Sequence, residues 1–450
     1  MFSRILIANR GEVAVRIIRA AREMGIESVA VYSTADRESA HVRLADRAIC
    51  IGKPPPAESY LNIPRIIAAA EVANVDAIHP GYGFLAENSR FADTCRACNI
   101  EFIGPSVQSM ERLGNKVECK KLAIQNKVPT SPGSDGAVET EEQAVETARK
   151  VGYPVIIKAA SGGGGRGMRV AHNEITLRTA LSQARQEAEV GFGDPTVYIE
   201  KFIERARHIE VQILGDQHGN LLHLFERDCT MQRRHQKIIE ESPSPALTEA
   251  LREQVCKAAV RLCKSVNYYS AGTVEFLFDP QEKRFYLMEV NTRMQVEHPV
   301  TELITGVDIV KSQFRVAAGE KLALSQKHIR AEGHAIEARI NAEDPDRNFA
   351  PSPGRIVQFD PPGGPGVRVE THCFSGCVVP PNYDSMIAKL LVHAPTRDEA
   401  LARMRRALAE FRIEPTKTTI QLHQKLMKNA NFIKGDVDIH FVERLLQQKG

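Results

Sequence analysis

Acidic and amide side chains recur in a stretch that has the pattern of a β-hairpin. Two runs rich in β-forming residues, Thr273–Phe278 and Phe285–Val290, flank the turn-rich segment DPQEKR. A turn centred near Glu282 would place Glu275 opposite Glu289, roughly 5 Å away on one face. Two bare carboxylates at that distance would repel each other, and a shared cation would remove the repulsion. The hairpin therefore predicts a cation site between two glutamates.

Polar residues continue at every second position beyond this hairpin. Strand alternation predicts that they share a face with Glu289. They are Asn291, Arg293, Gln295 and Glu297. A solvated strand face would produce the same alternation, and the alternation alone favours that interpretation. The opposed glutamates, with the arginine and glutamine beside them, favour instead oxygen ligands for Mg²⁺ that is shared with substrate phosphates.

A second chemical signal is a glycine-rich run between two predicted strands, Tyr153–Ala159 and Met168–Ala171. The run reads SGGGGRG from Ser161, and Lys158 is the one charge in the strand before it. Glycines let successive backbone N–H groups approach and surround a phosphate. The run lacks the Gly-Lys-Ser/Thr ending of a P-loop and joins strand to strand. It predicts a flexible flap over phosphates, with an unstructured linker as the alternative.

Three further stretches place polar residues in predicted strands. Val197–Ile203 leaves the glycine-rich lobe and could present backbone groups to an adenine edge. Arg207–Ile213 alternates, so that His208 lies on a polar face, although a lone histidine there is more often structural. The charge-dense run Glu226–Glu241 has a basic middle that could neutralise an anion, but such a run by itself is usually solvent-facing.

The stretch His334–Asn341 alternates in the same way and places Glu337, Arg339 and Asn341 on one face. Together, Arg293 and Arg339 suggest a small planar anion, because guanidinium matches carboxylate-like geometry. A phosphate flap, an adenine-suitable strand and a two-glutamate metal site suggest nucleoside triphosphate chemistry. An ATP-driven ligase that activates a carboxylate-type substrate as an acyl phosphate would use all of these features.

The elements that position these residues follow an alternating pattern in residues 1–113. Predicted strands are Arg4–Ala8, Ser28–Tyr32, Asp76–His79 and Glu101–Ile103, and helix Glu12–Met24 stops at Gly25. Helices between strands imply a doubly wound parallel sheet. The first turn has one glycine where a dinucleotide fingerprint needs three, which argues against a nicotinamide site. The turn HPGYGF from His79 follows a strand and is either a ligand loop or a structural turn.

Composition narrows the class of protein. The 450 residues suffice for two or three domains, and the formal net charge of +3 argues against nucleic-acid binding. No apolar run suggests a membrane span, and the start reads as a strand and not as a signal peptide. Nine scattered cysteines predict reduced thiols in the cytoplasm. The pair Cys95 and Cys98 lacks a second pair at metal spacing, so helix thiols are favoured over zinc.

With these motifs in view, the chain resembles the biotin carboxylase family of the ATP-grasp superfamily along nearly its full length. The matching motifs are IANRGEVAVRIIRAA, HPGYGFLAEN, KAASGGGGRGM, ERDCTMQRRHQKIIEE, MEVNTRMQVEHPVTE, INAED and YDSMIAKL. The resemblance implies an α/β and α+β fold in four parts: a Rossmann-like N-terminal domain (1–113), a linker (114–130), an ATP-grasp lid (131–204) and a C-terminal domain (205–450). It implies MgATP-dependent carboxylation of carrier-bound biotin by bicarbonate, as in acetyl-CoA carboxylase or a related carboxylase.

The resemblance also implies roles for individual residues. ATP would be bound by Lys116, Lys158, Gly163, Gly164, Gly165, Glu200, Lys201, Phe202, Ile203, His208, Gln232, His235, Glu275 and Glu289. Two Mg²⁺ (or Mn²⁺) ions would be held by Glu275, Glu289 and Asn291, and bicarbonate by Lys237, Arg293, Gln295, the Val296 backbone, Glu297 and Arg339. Glu297 would be the general base, Arg339 would stabilise the enolate-like oxygen of biotin, and Tyr82 would lie against the biotin ring.

Partners follow from the same resemblance. A biotin carboxyl carrier protein and carboxyltransferase subunits would meet this chain in trans, because the sequence has no Ala-Met-Lys-Met carrier motif. A homodimer is expected through Arg19 and Glu23, although Pro365 stands where several relatives carry an aromatic residue near that contact. Two rivals remain: another ATP-grasp enzyme, such as a carbamoyl phosphate synthetase half or a carboxylate–amine ligase, and a non-catalytic nucleotide-binding regulator.

Overall fold

A computed structural model describes residues 1–159 and 168–447 of the chain. Its first part is a parallel sheet of five strands in the order β3-β2-β1-β4-β5. The strands are β1 Arg4–Ile7, β2 Glu27–Ser33, β3 Arg47–Gly52, β4 Ala77–His79 and β5 Glu101–Phe102. The helices are α1 Gly11–Glu23, α2 Ala40–Leu44, α3 Ile63–Ala73, α4 Ser89–Ala97 and α5 Val107–Gly114. The predicted doubly wound parallel sheet is confirmed.

The predicted strands and the first helix lie within a residue or so of the observed ones. Helix α1 ends just before Gly25, whose φ of +70° is the left-handed conformation that glycine adopts easily at a helix end. The prediction missed β3, because this edge strand is only partly buried and lacks a clear apolar alternation. Backbone bonds link Ala8 to His79 and thus place the loops after β1 and β4 side by side.

Residues 114–130, predicted to be a linker, contain the helix α6 Lys116–Gln125. Its apolar residues Cys119, Leu122 and Ala123 are buried in the same hydrophobic cluster as the long sheet described below. The helix therefore rests on the C-terminal part of the molecule and carries Lys116 at its first turn. The four domain boundaries proposed from the sequence remain a prediction.

The lid has a three-stranded antiparallel sheet in the order β7-β6-β8, covered by two helices. Its elements are α7 Glu141–Val151, β6 Val155–Ala159, β7 Met168–Ala171, α8 Glu174–Phe192 and β8 Val197–Lys201. The predicted hairpin around the glycine run is confirmed by the pairing of β6 with β7. The glycine run itself, including Gly163, Gly164 and Gly165, lies outside the described residues.

The remainder is built on an antiparallel sheet of eight strands in the order β13-β12-β9-β10-β11-β14-β21-β19. The elements up to β14 are β9 Arg207–Gly215, β10 Leu221–Arg233, β11 Gln236–Ser242, α9 Glu249–Lys264, β12 Ser270–Asp279, β13 Arg284–Asn291, α10 His298–Thr305, α11 Ile309–Ala317 and β14 His334–Asn341. The elements after it are β15 Glu343–Asp344, β16 Ala350–Pro351, β17 Gly354–Arg355, β18 Gln358–Asp360, β19 Val367–Thr371, β20 Val378–Val379, β21 Met386–Ala394, α12 Arg397–Glu410, β22 Arg412–Glu414, α13 Ile420–Leu426, α14 Ala430–Lys434 and α15 Phe441–Gln447.

Two hydrophobic clusters cover one side of this sheet. Helix α9 packs on β9, β10 and β12, and helix α12 packs on β14 and β21. The alternation in β9 sends Ile209, Val211 and Ile213 into the first cluster. The polar side chains of the same strands therefore project to the opposite side, toward the N-terminal sheet. No helix among residues 1–159 and 168–447 is long and apolar enough to cross a membrane.

Candidate active site

The hairpin prediction is confirmed by strands β12 and β13, in which Glu275 pairs directly with Glu289. Glu275 accepts hydrogen bonds from two amide groups, because Asn291 Nδ2 and Gln295 Nε2 each lie 2.9 Å from its Oε1. His208 Nε2 lies 3.0 Å from the other oxygen, Oε2. Three of the predicted site residues thus surround one buried carboxylate.

The two opposed carboxyl groups differ in their electrostatics. Burial raises the pKa of Glu275, but the charge of Lys237 and the contact with His208 outweigh it and hold the pKa below its usual range. The pKa of Glu289 is raised, first by burial and then by the charge of Glu275. A divalent cation between the pair would stabilise both ionised groups, so the hard oxygen donors of Glu275, Glu289 and Asn291 fit Mg²⁺.

The predicted strand alternation beyond Glu289 is wrong after Asn291, where β13 ends. The chain turns there and enters helix α10, which has Pro299 in its first turn. Arg293 reaches the site from this turn. Its Nη2 donates to Asn291 Oδ1 at 3.0 Å and its Nη1 to Gln295 Oε1 at 3.1 Å. Its Nε donates to Glu87 Oε2 at 3.0 Å.

Lys237 is the centre of the deeper part of the site. Its Nζ lies 2.6 Å from Glu210, 3.1 Å from Glu275 and 2.5 Å from Glu297. Burial would lower the pKa of this ammonium, but the three carboxylates outweigh burial and raise it well above its usual value. Lys237, on β11, is therefore a permanent cation bound by carboxylates from two other strands, β9 and β12, and from the N-terminus of α10.

Glu297 is fully buried between two cations. Its Oε2 accepts a hydrogen bond from Arg339 at 2.8 Å, and Lys237 bonds to its Oε1. Burial raises the pKa of Glu297, but Lys237 and Arg339 outweigh burial and hold the pKa well below its usual range. Arg339 also contacts Glu240 at 2.5 Å. Glu297 is thus an ionised carboxylate next to the two groups predicted to bind an anion.

The charged run Glu226–Glu241 is largely buried, unlike a usual solvent-facing run, because β10 and β11 lie in the middle of the sheet. Arg227 is 0% exposed and bonds to Glu210 at 2.5 Å and to Gln212 at 2.6 Å. It donates in addition to Thr301 at 3.0 Å and to Thr273 at 3.2 Å. The arginine neutralises Glu210 and so supports the carboxylate that holds Lys237.

Lys237, Glu275 and Asn291 border a cleft of about 890 Å³ between the N-terminal sheet, the lid and the large sheet. It also brings together Tyr82, Lys116, Lys158, His208, Gln232, His235, Glu289, Arg293, Gln295, Val296 and Arg339. Lys158 donates to Glu200 at 2.6 Å, and Lys120 donates to the other oxygen of Glu200 at 3.0 Å. The lid lysine and the predicted adenine strand are therefore already joined to each other.

The side chains of three residues that were predicted to contact adenine do not line this cleft. Lys201 Nζ donates to the backbone oxygens of Gly152 and Tyr153, at 3.0 and 2.9 Å, within the lid. The ring of Phe202 lies 6.4 Å from that of His440. Ile203 follows just after the end of β8. Backbone groups of this stretch, and not its side chains, would have to read an adenine edge.

Several charged residues of the site were not assigned a role from the sequence. Tyr82 donates to Glu12, whose other oxygen lies 3.1 Å from Lys389 Nζ, and Lys389 donates to the Val296 backbone oxygen at 2.9 Å. The unassigned residues are Glu12, Glu87, Glu210, Arg227, Glu240, Glu337 and Lys389. The available signal was a charge inside an apolar strand, as in Met386–Ala394, where Lys389 is 0% exposed.

Two groups of possible metal-binding side chains exist among residues 1–159 and 168–447. One joins His208, Glu210 and Glu275, and the other joins Glu210, Cys229 and Glu297. Lys237 Nζ already lies 2.5 Å from Glu297 and 2.6 Å from Glu210, so an ammonium group serves as the counter-ion there. In this part of the chain the zinc-like pair Cys95 and Cys98 gathers no third donor, and both thiols are free.

Comparison with known proteins agrees with this arrangement. Three family models match: "Biotin carboxylase, N-terminal domain" over residues 1–110, "Carbamoyl-phosphate synthase L chain, ATP binding domain" over 115–325, and "Biotin carboxylase C-terminal domain" over 337–444. The Biotin carboxylase 1 of Bacillus subtilis is 54% identical over 443 residues, which are 98% of each chain.

Solved structures give the same result. The biotin carboxylase of Campylobacter jejuni, in a complex named for beta-gamma-ATP, superposes with a TM-score of 0.95 at 50% identity and covers 99% of both chains. The biotin carboxylase domain dimer of the Hydrogenobacter thermophilus 2-oxoglutarate carboxylase, with MgADP and bicarbonate, gives a TM-score of 0.93 at 48% identity, over 99% of this chain and 98% of that one. The middle model taken alone would also suit a carbamoyl phosphate synthetase, but the flanking models and these relatives do not favour that alternative. The chain belongs to the biotin carboxylase family, whose members are ATP-dependent ligases that carboxylate biotin.

Proposed function

We propose that this chain uses ATP to activate bicarbonate and transfers the carboxyl group to biotin on a carrier protein. The observation that carries the proposal is the ionised Glu297, buried directly behind Lys237 and Arg339, which line the same cleft as the opposed pair Glu275 and Glu289. A base, an anion site and a cation site within one cleft are the parts that carboxyphosphate formation needs.

ATP would lie between the lid and the large sheet. Lys116 and Lys158 would bind its phosphates under the glycine run, and the backbone from Glu200 to Ile203 would contact adenine, near His208, Gln232 and His235. Lys158 would then exchange Glu200 for a phosphate oxygen. Glu275, Glu289 and Asn291 would hold Mg²⁺, which neutralises phosphate charge during transfer. Closure of the lid would exclude water from a labile intermediate.

Bicarbonate would bind to Arg293, Gln295, the Val296 backbone, Lys237 and Arg339. Glu297 would take its proton, and the carbonate oxygen would attack the γ-phosphorus while the bond to ADP breaks. The resulting carboxyphosphate would split at its C–O bond into CO₂ and phosphate. Phosphate would accept the N1 proton of biotin, and N1 would attack CO₂ to give carboxybiotin. Arg339 would stabilise the oxyanion of the deprotonated biotin ring, and Tyr82 would lie against that ring.

The substrate anion would have to compete for cations that carboxylates already occupy. Arg339 is bound to Glu240 and Glu297, and Lys237 is bound to three glutamates. Protonation of Glu297 by bicarbonate would weaken its hold on both cations at the moment when the substrate gains charge. Lys237 and Arg339 would therefore bind the substrate anion more strongly in the transition state than in the ground state.

The direct test measures ADP formation as a function of bicarbonate, with and without free biotin, in the purified chain. We expect cleavage that depends on bicarbonate and rises with biotin, and carboxybiotin as a product. Biotin-independent formation of another acyl product would support a different ATP-grasp ligase. Nucleotide binding without any cleavage would support a regulator.

We also propose that the chain is a cytoplasmic homodimer that meets a biotin carboxyl carrier protein and carboxyltransferase subunits. The resemblance assigns the dimer contact to α1, where Arg19 lies 3.6 Å from Glu370 and Glu23 lies 2.6 Å from Lys311. Arg19 and Glu23 are more than half exposed and could rearrange toward a second chain. Sedimentation of the wild type and of Arg19→Glu tests this, with a dimer expected only for the former.

A further inference from the structure

Glu240 and Glu337 face each other on the neighbouring strands β11 and β14. Both side chains are 0% exposed, and directly paired residues are about 5 Å apart. Glu240 Oε1 accepts hydrogen bonds from Arg339, at 2.6 Å from Nε. Its Oε2 and both oxygens of Glu337 are buried and receive no hydrogen bond from any described residue. The pair thus presents three buried acceptor oxygens that lack a donor.

Charged or titratable side chains from several elements lie around Glu337. Arg339 is on its own strand, Lys389 comes from β21, Glu297 precedes α10, and Tyr82 comes from the N-terminal part of the chain. Lys389 donates to the Val296 backbone and forms an ion pair with Glu12, and Tyr82 donates to Glu12, so neither serves Glu337. The carboxyl groups Glu12, Glu240, Glu297 and Glu337 outnumber the adjacent cations Arg339 and Lys389, while Lys237 is shared with Glu210 and Glu275.

A buried carboxylate without a donor carries a large desolvation penalty. Two such carboxylates opposed on one sheet face would in addition repel each other. A proton on one of them removes the repulsion and supplies the missing donor. Glu240 already has Arg339 as its counter-ion, whereas Glu337 forms no ion pair with any described residue, so the proton belongs on Glu337.

We propose that Glu337 is a positioning residue for this site: it stays a neutral carboxylic acid, donates its O–H to Glu240, and so fixes the carboxylate that orients Arg339. This inference rests on the proposed function, because Arg339 is there the group that meets bicarbonate and biotin. Burial first, and the neighbouring carboxylates next, raise the pKa of Glu337 well above its usual value, and burial raises that of Glu240 to about 7. Loss of the shared proton at alkaline pH would leave two opposed anions and displace Glu240 from Arg339.

The test compares Glu337→Gln with Glu337→Leu in the full chain, with Glu332→Gln, an exposed position just before β14, as the matched control. An amide N–H can replace the O–H. We therefore expect Glu337→Gln to lower kcat by no more than about threefold at neutral pH, a smaller effect than the loss of one hydrogen bond. Its activity should also persist to higher pH than that of the wild type. Glu337→Leu should lower kcat about 10- to 100-fold, the effect of one unsatisfied buried acceptor, with little change in KM for ATP.

If Glu337 were instead ionised and paired with Lys389, Glu337→Gln and Glu337→Leu would lower kcat by the same factor. The alkaline limb of the pH–activity profile would then be the same in Glu337→Gln as in the wild type. These results would overturn the proposal. A second measurement does not depend on activity. Infrared spectra of the wild type and of Glu332→Gln should contain the C=O band of a buried carboxylic acid at mildly alkaline pH, and Glu337→Gln should lack it. Absence of that band from the wild type would also overturn the proposal. Failure of the proposed function would appear differently, as a wild type without biotin-stimulated ATP cleavage.

Discussion

Two adjacent groups of charged residues, joined by Lys237, stabilise buried charge in different ways: the acid-rich end contains Glu275 and Glu289, and the balanced end contains Glu297. At one end, Glu275 and Glu289 oppose each other, and the pKa of Glu289 is raised by burial and by its neighbour. At the other end, Glu297 sits between Lys237 and Arg339, and its pKa is held well below the usual range. At the acid-rich end an added cation would balance the opposed pair, whereas at the balanced end Glu297 already has two cations from the protein.

This difference suggests how the two ends would work. Two opposed carboxylates favour binding of a metal ion, and that ion then contributes to binding of the substrate phosphates. In a balanced cluster the charged side chains are already held in place. An entering anion must therefore displace carboxylates from their cations, but it does not have to order the site. Four substitutions would break or sharpen the comparison.

The largest effect is expected for Glu297→Gln, which removes the base from the balanced end. Turnover should fall about 10²- to 10⁴-fold, because a general base contributes that much. ATP affinity should stay close to that of the wild type, because Glu297 is not among the residues proposed to bind the nucleotide. Steady-state kinetics and calorimetric titration with ATP measure the two quantities, and Glu320→Gln, an exposed site, is the control. Unchanged turnover would rule out Glu297 as the base.

Arg227→Met tests whether the balanced end depends on its own counter-ions for folding. The substitution leaves Lys237 as the one ion-pair partner of Glu210 among the described residues, and removing one partner of a buried ion pair costs about 3–5 kcal/mol. Urea unfolding should show that loss, and adding Glu210→Gln should recover part of it. Equal stability of the single and double variants would mean that the Arg227–Glu210 pair does not supply the energy.

Glu289→Gln tests the acid-rich end. The change should raise the Mg²⁺ concentration needed for half-maximal ATP cleavage by about 10- to 100-fold, at least the loss seen when a metal-supporting residue is removed. Excess Mg²⁺ should restore part of the rate, since the base and the anion site are intact. An unchanged Mg²⁺ requirement would contradict the assignment of Glu289 as a ligand.

The smallest effect concerns Glu241, the neighbour of Glu240 on the other face of β11. Burial raises its pKa, but His334 and Arg397 outweigh burial and lower the pKa to about 2. A depressed folded-state pKa stabilises the fold above the unfolded value of about 4.3, and that stability is lost as the pH falls toward 2. Thermal unfolding between pH 5 and about 3 should therefore show a smaller acid-induced decrease in Glu241→Gln than in the wild type. Equal decreases would assign the acid sensitivity to other carboxylates.

Local patterns predicted much of this molecule because local geometry suffices for them. Alternation and turn residues located the hairpin, and the register of Glu275 with Glu289 followed from the turn position. Alternating strands and helices in residues 1–113 predicted a parallel sheet, which is observed. The same rule failed beyond Asn291, because the chain leaves the sheet there, and Arg293 reaches the site from a turn.

The contacts of the balanced end could not be predicted from local sequence patterns. Lys237 meets glutamates that are 27, 38 and 60 positions away in the chain, and Arg293 meets a glutamate 206 positions away. Whether the charges of Glu226–Glu241 face solvent or each other depends on which strands flank β10 and β11. That choice is made by the packing of the whole sheet, because a charge can be buried only where a partner from another element neutralises it.

The sequence by itself thus determined the hairpin acids, the parallel N-terminal sheet and the types of side chain available for ATP and anion chemistry. Only the tertiary structure decided which acids keep their charge. Glu297 gains two cations from β11 and β14, whereas Glu337, on the same strand as Arg339, accepts no hydrogen bond from any cation among the described residues. Protonation in a protein interior depends on the distance to the nearest opposite charge, and that distance is a property of the packed fold.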